Sequence, residues 1–121
     1  MRRALAVDDE AVSRIVLARM LETIGFQPSQ ASDVPTALEL IQSSPFELVV
    51  ADYLMPSGTG LELAEAAIES GAAFILLTGF ASDTTIDDPR VGLVHAHLTK
   101  PASSHELAEA VTQAIGLPHG Q

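Results

Sequence analysis

Lys100 is the only lysine in this chain of 121 residues, and it closes an apolar run. Four other reactive residues do the same. Asp8 and Asp9 follow Ala4-Leu5-Ala6-Val7, and Asp52 follows Phe46-Glu47-Leu48-Val49-Val50-Ala51. Thr78 follows Phe74-Ile75-Leu76-Leu77, and Lys100 follows Val94-His95-Ala96-His97-Leu98-Thr99 and precedes Pro101. In an open parallel sheet the carboxyl ends of the strands converge on one edge, where ligands bind. Three carboxylates, one hydroxyl and one ammonium would share a small site at such an edge. Carboxylate oxygens suit a hard divalent cation, and the ammonium and hydroxyl suit the oxygens of a phosphoryl group.

The elements that must position these residues alternate along the chain. Short apolar runs over 3–7, 47–51, 73–78 and about 93–98 read as strands, and 26–31 reads as a weaker one. A helix is expected over about 10–24, where Val12, Val16, Met20 and Ile24 recur at i, i+4 and Gly25 stops the repeat. A second helix starts after Asp33, with Pro35 in its first turn, and runs to about Ser43. Residues 53–60 form a Pro/Gly loop. Thr59 and Glu62 offer a capping box for a third helix that ends before Gly71, and Ser103 with Glu106 offers another for the last helix, which ends near Gly116. Between strands 4 and 5 the segment 80–92 carries β-branched Thr84, Thr85 and Ile86 and then Asp87-Asp88-Pro89, so a fourth helix is expected to be short, mobile or absent. Five strands alternating with helices give an α/β three-layer sandwich with a parallel sheet of strand order 2-1-3-4-5.

Length and composition agree with one domain over 1–121. A chain of this size buries roughly two-thirds of its unfolded surface, and 47 % apolar residues argue against disorder. The absence of cysteine excludes disulfides, thiolate chemistry and Cys-ligated zinc. A net charge of −10, from 16 acidic and 6 basic residues, repels nucleic acid and anionic lipid. No stretch approaches a membrane span or a signal peptide. A soluble cytoplasmic domain is expected, without direct nucleic-acid or membrane partners.

Val7-Asp8-Asp9-Glu10, Asp52-Tyr53-Leu54-Met55-Pro56 with Gly60, Thr78-Gly79 and Lys100-Pro101 together resemble the receiver domain of two-component response regulators. The resemblance covers essentially the whole chain, in order and at family-like spacing. It implies a flavodoxin-like (CheY-like) fold. It also implies that Asp52 is the phospho-acceptor, taking a phosphoryl group from a histidine kinase or histidine phosphotransfer protein. By the same resemblance Mg2+ would be held by Asp9, Asp52 and the Leu54 carbonyl, with Asp8 acting through water. Lys100 would pair with Asp52 and then with a phosphoryl oxygen, Thr78 would bond another, and Gly79 would leave room for the group. Pro56, Gly60 and Pro101 would shape the loops, the bond before Pro101 being usually cis in the family. The fourth helix, fifth strand and fifth helix would form the face for a homodimer or a downstream protein. The chain would be a phospho-acceptor with at most self-catalysed phosphorylation and dephosphorylation. Since it stops soon after the last helix, no output domain is expected. It reads as a stand-alone regulator or a receiver cut from a longer protein.

Two positions depart from the polar residues that could orient a water. Leu54, two after the acceptor, and Phe80, two after Thr78, are both apolar, so slow self-dephosphorylation is expected. His97 stands three before Lys100, where receivers often carry an aromatic switch residue. With Thr78 it would form the switch, in a smaller and titratable version. His95 and His97 alternate on one strand face, as metal ligands do, but no other clear ligand accompanies them.

Taken singly, these residues have plainer readings. Asp8 and Asp9 would cap a helix, Asp52 would start a turn, Thr78 would be a satisfied strand-end hydroxyl, and Lys100 a solvated cation. Those readings leave the coincidence of all of them at one sheet edge unexplained. An aspartate-nucleophile phosphatase of the haloacid dehalogenase type needs Asp-x-Asp after the first strand, and the chain has Asp8-Asp9-Glu10. A flavin binder needs a Gly-rich phosphate loop after the first strand, which is lacking, and aromatics to stack on the flavin, of which there are few. A phosphorylation-independent, receiver-like interaction domain is the remaining alternative.

Overall fold

The computed structural model describes residues 2–79 and 88–115. Along the chain run β1 (Arg3–Val7), α1 (Ala11–Ile24), β2 (Gln27–Ala31), α2 (Val34–Ser43) and β3 (Leu48–Asp52). A small hairpin of β4 (Leu54–Met55) and β5 (Gly58–Thr59) comes next, then a 3-10 turn, Gly60–Leu63, that leads into α3 (Ala64–Glu69). After β6 (Ala73–Thr78) come a second 3-10 turn, Pro89–Leu93, then β7 (Ala96–Thr99) and α4 (Ser104–Ile115). Five parallel strands stand in the order β2-β1-β3-β6-β7, which is the expected 2-1-3-4-5 counted over the main-sheet strands.

The three inner strands are apolar nearly without interruption because both faces are covered. Val7, Leu5, Val49, Ala51, Phe74 and Leu76 face α2 and α3 in one core layer. Ala4, Ala6, Leu48, Val50, Ile75 and Leu77 face α1 and α4 in the other. Local chemistry sets the helix ends. Gly25, at φ 116°, closes α1 with its N–H on the Leu21 and Glu22 carbonyls. Asp33 caps α2 by accepting from the Thr36 N–H at 2.8 Å. Ser103 and Glu106 exchange both capping-box bonds at the start of α4, at 2.9 and 3.0 Å.

Three local expectations differ from the fold. In α1 Val12 and Val16 of the i, i+4 row are exposed, while Met20 and Ile24 pack against the core beside the buried Leu17, Ala18 and Leu21. The first half of α1 is apolar on several sides, so periodicity located the helix without fixing its buried face. The loop over 53–60 contains the β4–β5 hairpin, too short to leave a periodic signal. The third helix begins as a 3-10 turn, with the Glu62 carboxylate accepting from the Thr59 N–H at 3.0 Å. Of the segment read as a weak fourth helix, residues 80–87, with Phe80, lie outside the described residues. The part that follows is the 3-10 turn, capped by Asp88, whose carboxylate accepts from the Arg90 N–H at 2.8 Å. Gly116 and the residues after it also lie outside.

Candidate functional site

Asp8 follows β1 directly, Asp52 ends β3, Thr78 ends β6 and Lys100 follows β7, so parallel pairing brings all four to one edge. Adjacent strand ends are tied through the backbone. The Tyr53 N–H donates to the Leu77 carbonyl at 2.8 Å, and the Lys100 N–H donates to the Thr78 carbonyl at 2.7 Å. Asp8, Asp52 and Thr78 are the buried polar residues in a sheet edge otherwise packed with apolar side chains. Asp9, one residue further into the loop, is exposed.

The carboxylates of Asp8, Asp9 and Asp52 each offer an oxygen, and these oxygens lie within 4.8 Å of one another. Lys100 Nζ stands 3.1 Å from Asp8 Oδ2 and 3.5 Å from Asp52 Oδ2. Burial pushes the Asp52 carboxyl above its ordinary range; Lys100 opposes this, while the Asp8 and Asp9 charges add to it. Burial would by itself lower the Lys100 ammonium, yet the hydrogen bond to Asp8 and the charges of Asp52 and Asp8 outweigh it and hold Lys100 above its usual value. An all-oxygen, crowded, anionic set of this kind fits a hard divalent cation. It can also present one carboxylate as a nucleophile while a cation lowers the repulsion of an incoming anion.

The loop after Asp52 is fixed from several sides. Gly60 lies against the Asp52 backbone, where a Cβ would collide with the Asp52 carbonyl oxygen. The Gly60 N–H donates to the Tyr53 carbonyl at 2.8 Å. Met55 is buried, Leu54 is 57 % exposed beside the site, and Pro56 is exposed at the hairpin turn. Gly79 is exposed, with open space where a Cβ would stand. The Lys100–Pro101 peptide bond is cis. His97 is exposed on β7 opposite Leu76, on the sheet face that also carries Thr78. His95 instead serves the backbone, since its Nδ1 accepts from the Phe74 N–H at 3.0 Å, where the strand ladder begins.

Two contributors have no counterpart in the sequence pattern. Arg14 donates to the Asp8 carbonyl and to Gln30 Oε1, both at 3.1 Å, and so ties the acidic loop to the end of β2. Ser57 Oγ accepts from the Val34 N–H at 2.9 Å and ties the β4–β5 hairpin to the start of α2. Neither residue has a spacing signal, because each bond joins segments brought together by the sheet. Beside Lys100, an apolar cavity of about 170 Å³ opens between Val12, Val16, Met20, Pro101 and Leu107.

The fold and the site together define an α/β domain with three aspartates and a lysine gathered at the carboxyl edge of a parallel sheet. The response regulator receiver domain family matches residues 4–112. The transcriptional regulatory protein PdtaR of Mycobacterium tuberculosis is 34 % identical over 116 residues, which cover 94 % of this chain and 57 % of PdtaR. The receiver protein CpdR of Brucella abortus is 30 % identical over 120 residues, covering 95 % of this chain and 98 % of CpdR. Among solved structures, the response regulator TrrA of Thermotoga maritima, in complex with Mg2+ and BeF, superposes with a TM-score of 0.83 at 30 % identity, over 94 % of this chain and 99 % of that one. The chain therefore belongs to the response regulator receiver domains, and it is a phospho-acceptor signalling domain with the CheY-like fold. It spans little more than half the length of PdtaR. No helix among the described residues is long and apolar enough to cross a membrane.

Proposed function

We propose that Asp52 accepts the phosphoryl group from a phosphohistidine on a histidine kinase or phosphotransfer protein, at a site completed by Mg2+. The observation that carries this is the position of the Asp52 carboxylate, buried at the sheet edge between Lys100 and two further carboxylates. An Asp52 oxygen attacks phosphorus in line with the departing imidazole nitrogen. The P–N bond breaks, a P–O bond forms, and the product is an aspartyl phosphate. Asp9, Asp52 and the Leu54 carbonyl would hold the cation directly, and Asp8 through water. The cation, when bound, offsets the charge of the phosphoryl oxygens. Lys100 and Thr78 serve those oxygens as ammonium and hydroxyl donors, and Gly79 keeps the approach open. Since positioning and electrostatics are the main demands, a small-molecule phosphodonor also suffices and the phosphorylation is self-catalysed.

A protein donor is favoured by the rim of the site. Val12, Ile15 and Val16 expose apolar side chains on α1 next to the cavity beside Lys100. A histidine reaching Asp52 from a donor helix would cover this shelf. After phosphorylation Thr78 and His97 act as the switch, and the face formed by the segment after β6, β7 and α4 meets a second copy or a downstream protein. The reading includes a cytoplasmic location and a single receiver domain over 1–121.

The test is intact-mass analysis after incubation with acetyl phosphate and Mg2+, beside Asp52→Ala. One added phosphoryl group, lost in the variant and without Mg2+, is the expected result. No addition from acetyl phosphate or from a phosphorylated histidine donor, with the fold intact, would leave a phosphorylation-independent interaction domain.

A further inference from the structure

We propose that His95 is an acid-sensitive latch on the last strand. Neutral, it holds the start of β7 on β6; protonated, it releases the strand and turns to Glu47. The inference stands apart from phosphorylation of Asp52, because it concerns the opposite, amino-terminal edge of the sheet.

His95 immediately precedes β7 and meets Phe74 of β6 twice. Its N–H donates to the Phe74 carbonyl at 2.8 Å, and its Nδ1 accepts from the Phe74 N–H at 3.0 Å. In a regular parallel ladder a carbonyl of the neighbouring strand would take that amide. Here the chain before His95 is wound into the 3-10 turn Pro89–Leu93, closed by the Val94 N–H on the Val91 carbonyl at 3.2 Å. An imidazole nitrogen stands in for the missing strand. Phe74 is fully buried, and a buried amide needs an acceptor. That acceptor exists only while Nδ1 bears no proton, since an imidazolium donates from both nitrogens. When Nδ1 takes a proton from solvent, two N–H groups face each other and the bond is lost. His95 is exposed, so the proton can reach it. Histidine is the side chain that changes charge between about pH 5 and pH 8.

The surroundings give the imidazolium a second position. At this edge His95 lines an open groove of about 370 Å³ between the ends of α3 and α4. The segment before β3 contributes Glu47, whose carboxylate pairs with Arg2 at 3.7 Å with both side chains nearly half exposed. α3 contributes Ile68, α4 contributes Ala114 and Ile115, and β6 contributes Ala73, so none of these elements brings a charge. In the 3-10 turn, Asp88 and Arg90 are paired with each other at 2.7 Å. Among the described residues Glu47 is thus the one carboxylate on the groove. A charge-assisted bond to Glu47 replaces the bond to the Phe74 amide. The two protonation states therefore favour two positions of the ring, and the start of β7 is the element they bias. β7 carries His97 and leads into Lys100. With α4 it forms the face proposed above for a second copy or a downstream protein. Acid reaches that face from one end of the strand, and phosphorylation from the other.

The test is amide exchange and NMR on the unphosphorylated wild type from about pH 8 to pH 5, beside His95→Gln and Glu47→Gln. Protection is taken relative to the intrinsic exchange rate at each pH. The Phe74 and His95 amides should lose at least about tenfold in protection, with the midpoint of the His95 ring titration. His95→Gln has an amide oxygen that accepts without titrating, and its Phe74 protection should stay level across the range. In Glu47→Gln the loss should occur at lower pH. A His95 ring that titrates while the Phe74 amide stays protected overturns the latch. So does an equal loss in His95→Gln, or a ring that does not titrate in this range. An unmoved midpoint in Glu47→Gln overturns the second position. Should His95→Gln fail to fold, the coincidence of the amide and ring midpoints in the wild type decides alone. Each of these outcomes leaves the phosphoryl-acceptor reading as it stands.

Discussion

Gly60 packs directly against the carbonyl of Asp52, leaving no room for a side chain: a Cβ there would strike that oxygen and stand 3.2 Å from the Ala51 Cβ. The start of the 3-10 turn thus stands against the backbone of the proposed phospho-acceptor. Gly60→Ala should displace Asp52 or the turn, cost about 1–3 kcal/mol of stability, and slow labelling of Asp52. Urea denaturation with a parallel mass assay checks both effects; unchanged labelling in a destabilised variant would make Gly60 purely structural.

The Ser57–Val34 bond holds the hairpin that carries Leu54. Ser57→Ala leaves an α2 amide without this partner and should cost about 1 kcal/mol. If the hairpin positions the Leu54 carbonyl for the metal, Mg2+ affinity falls as well, and Ser57→Thr restores part of it. Calorimetric Mg2+ titration of both variants gives the answer.

The raised Asp52 carboxyl gives a pH dependence of definite sign. The folded protein binds this proton more tightly than the unfolded chain, whose value is near the ordinary 3.8. The stabilisation is full below that value and is lost as pH rises through the higher folded value. Metal-free Asp52→Asn should therefore be more stable than wild type at neutral pH, with the advantage shrinking in acid. Melting temperatures across pH in EDTA test this; an advantage that grows in acid would contradict it.

Leu54 stands exposed two residues after Asp52, the proposed acceptor, and has no group that orients water. The aspartyl phosphate should persist for minutes or longer, and Leu54→Asn should shorten its life several-fold. Decay followed by intact mass after removal of the phosphodonor reads this, and a lifetime of seconds in the wild type would count against it.

The two histidines around β7 should behave differently. His95 is held as an Nδ1 acceptor by the Phe74 N–H, which requires the Nε2–H tautomer. His97 is exposed on the face of Thr78. Phosphorylation should shift the His97 ring signals and leave those of His95 nearly unchanged. Imidazole NMR on the free and phosphorylated forms distinguishes them; an identical His97 response in both forms removes it from the switch.

The order of residues along the chain was enough to specify the sheet and which polar residues meet at its edge. Uninterrupted apolar runs mark strands buried on both faces, and the ends of those runs mark the edge where Asp8, Asp52, Thr78 and Lys100 meet. Side chains that cap helices within three residues, such as Asp33, Ser103 and Glu106, were legible for the same reason: their chemistry is local. What depends on distance through space came from the folded arrangement alone. Lys100 lies nearer Asp8 than Asp52 although β3 stands closer to β7 than β1 does, so the reach of the side chain across the sheet edge, and not the strand order, sets this pairing. The buried face of α1 was settled by packing against the sheet and α4, since an apolar first half offers several equivalent stripes. Arg14, Ser57 and His95 act through backbone groups of distant segments. A backbone carbonyl or amide has no residue identity that a sequence can display.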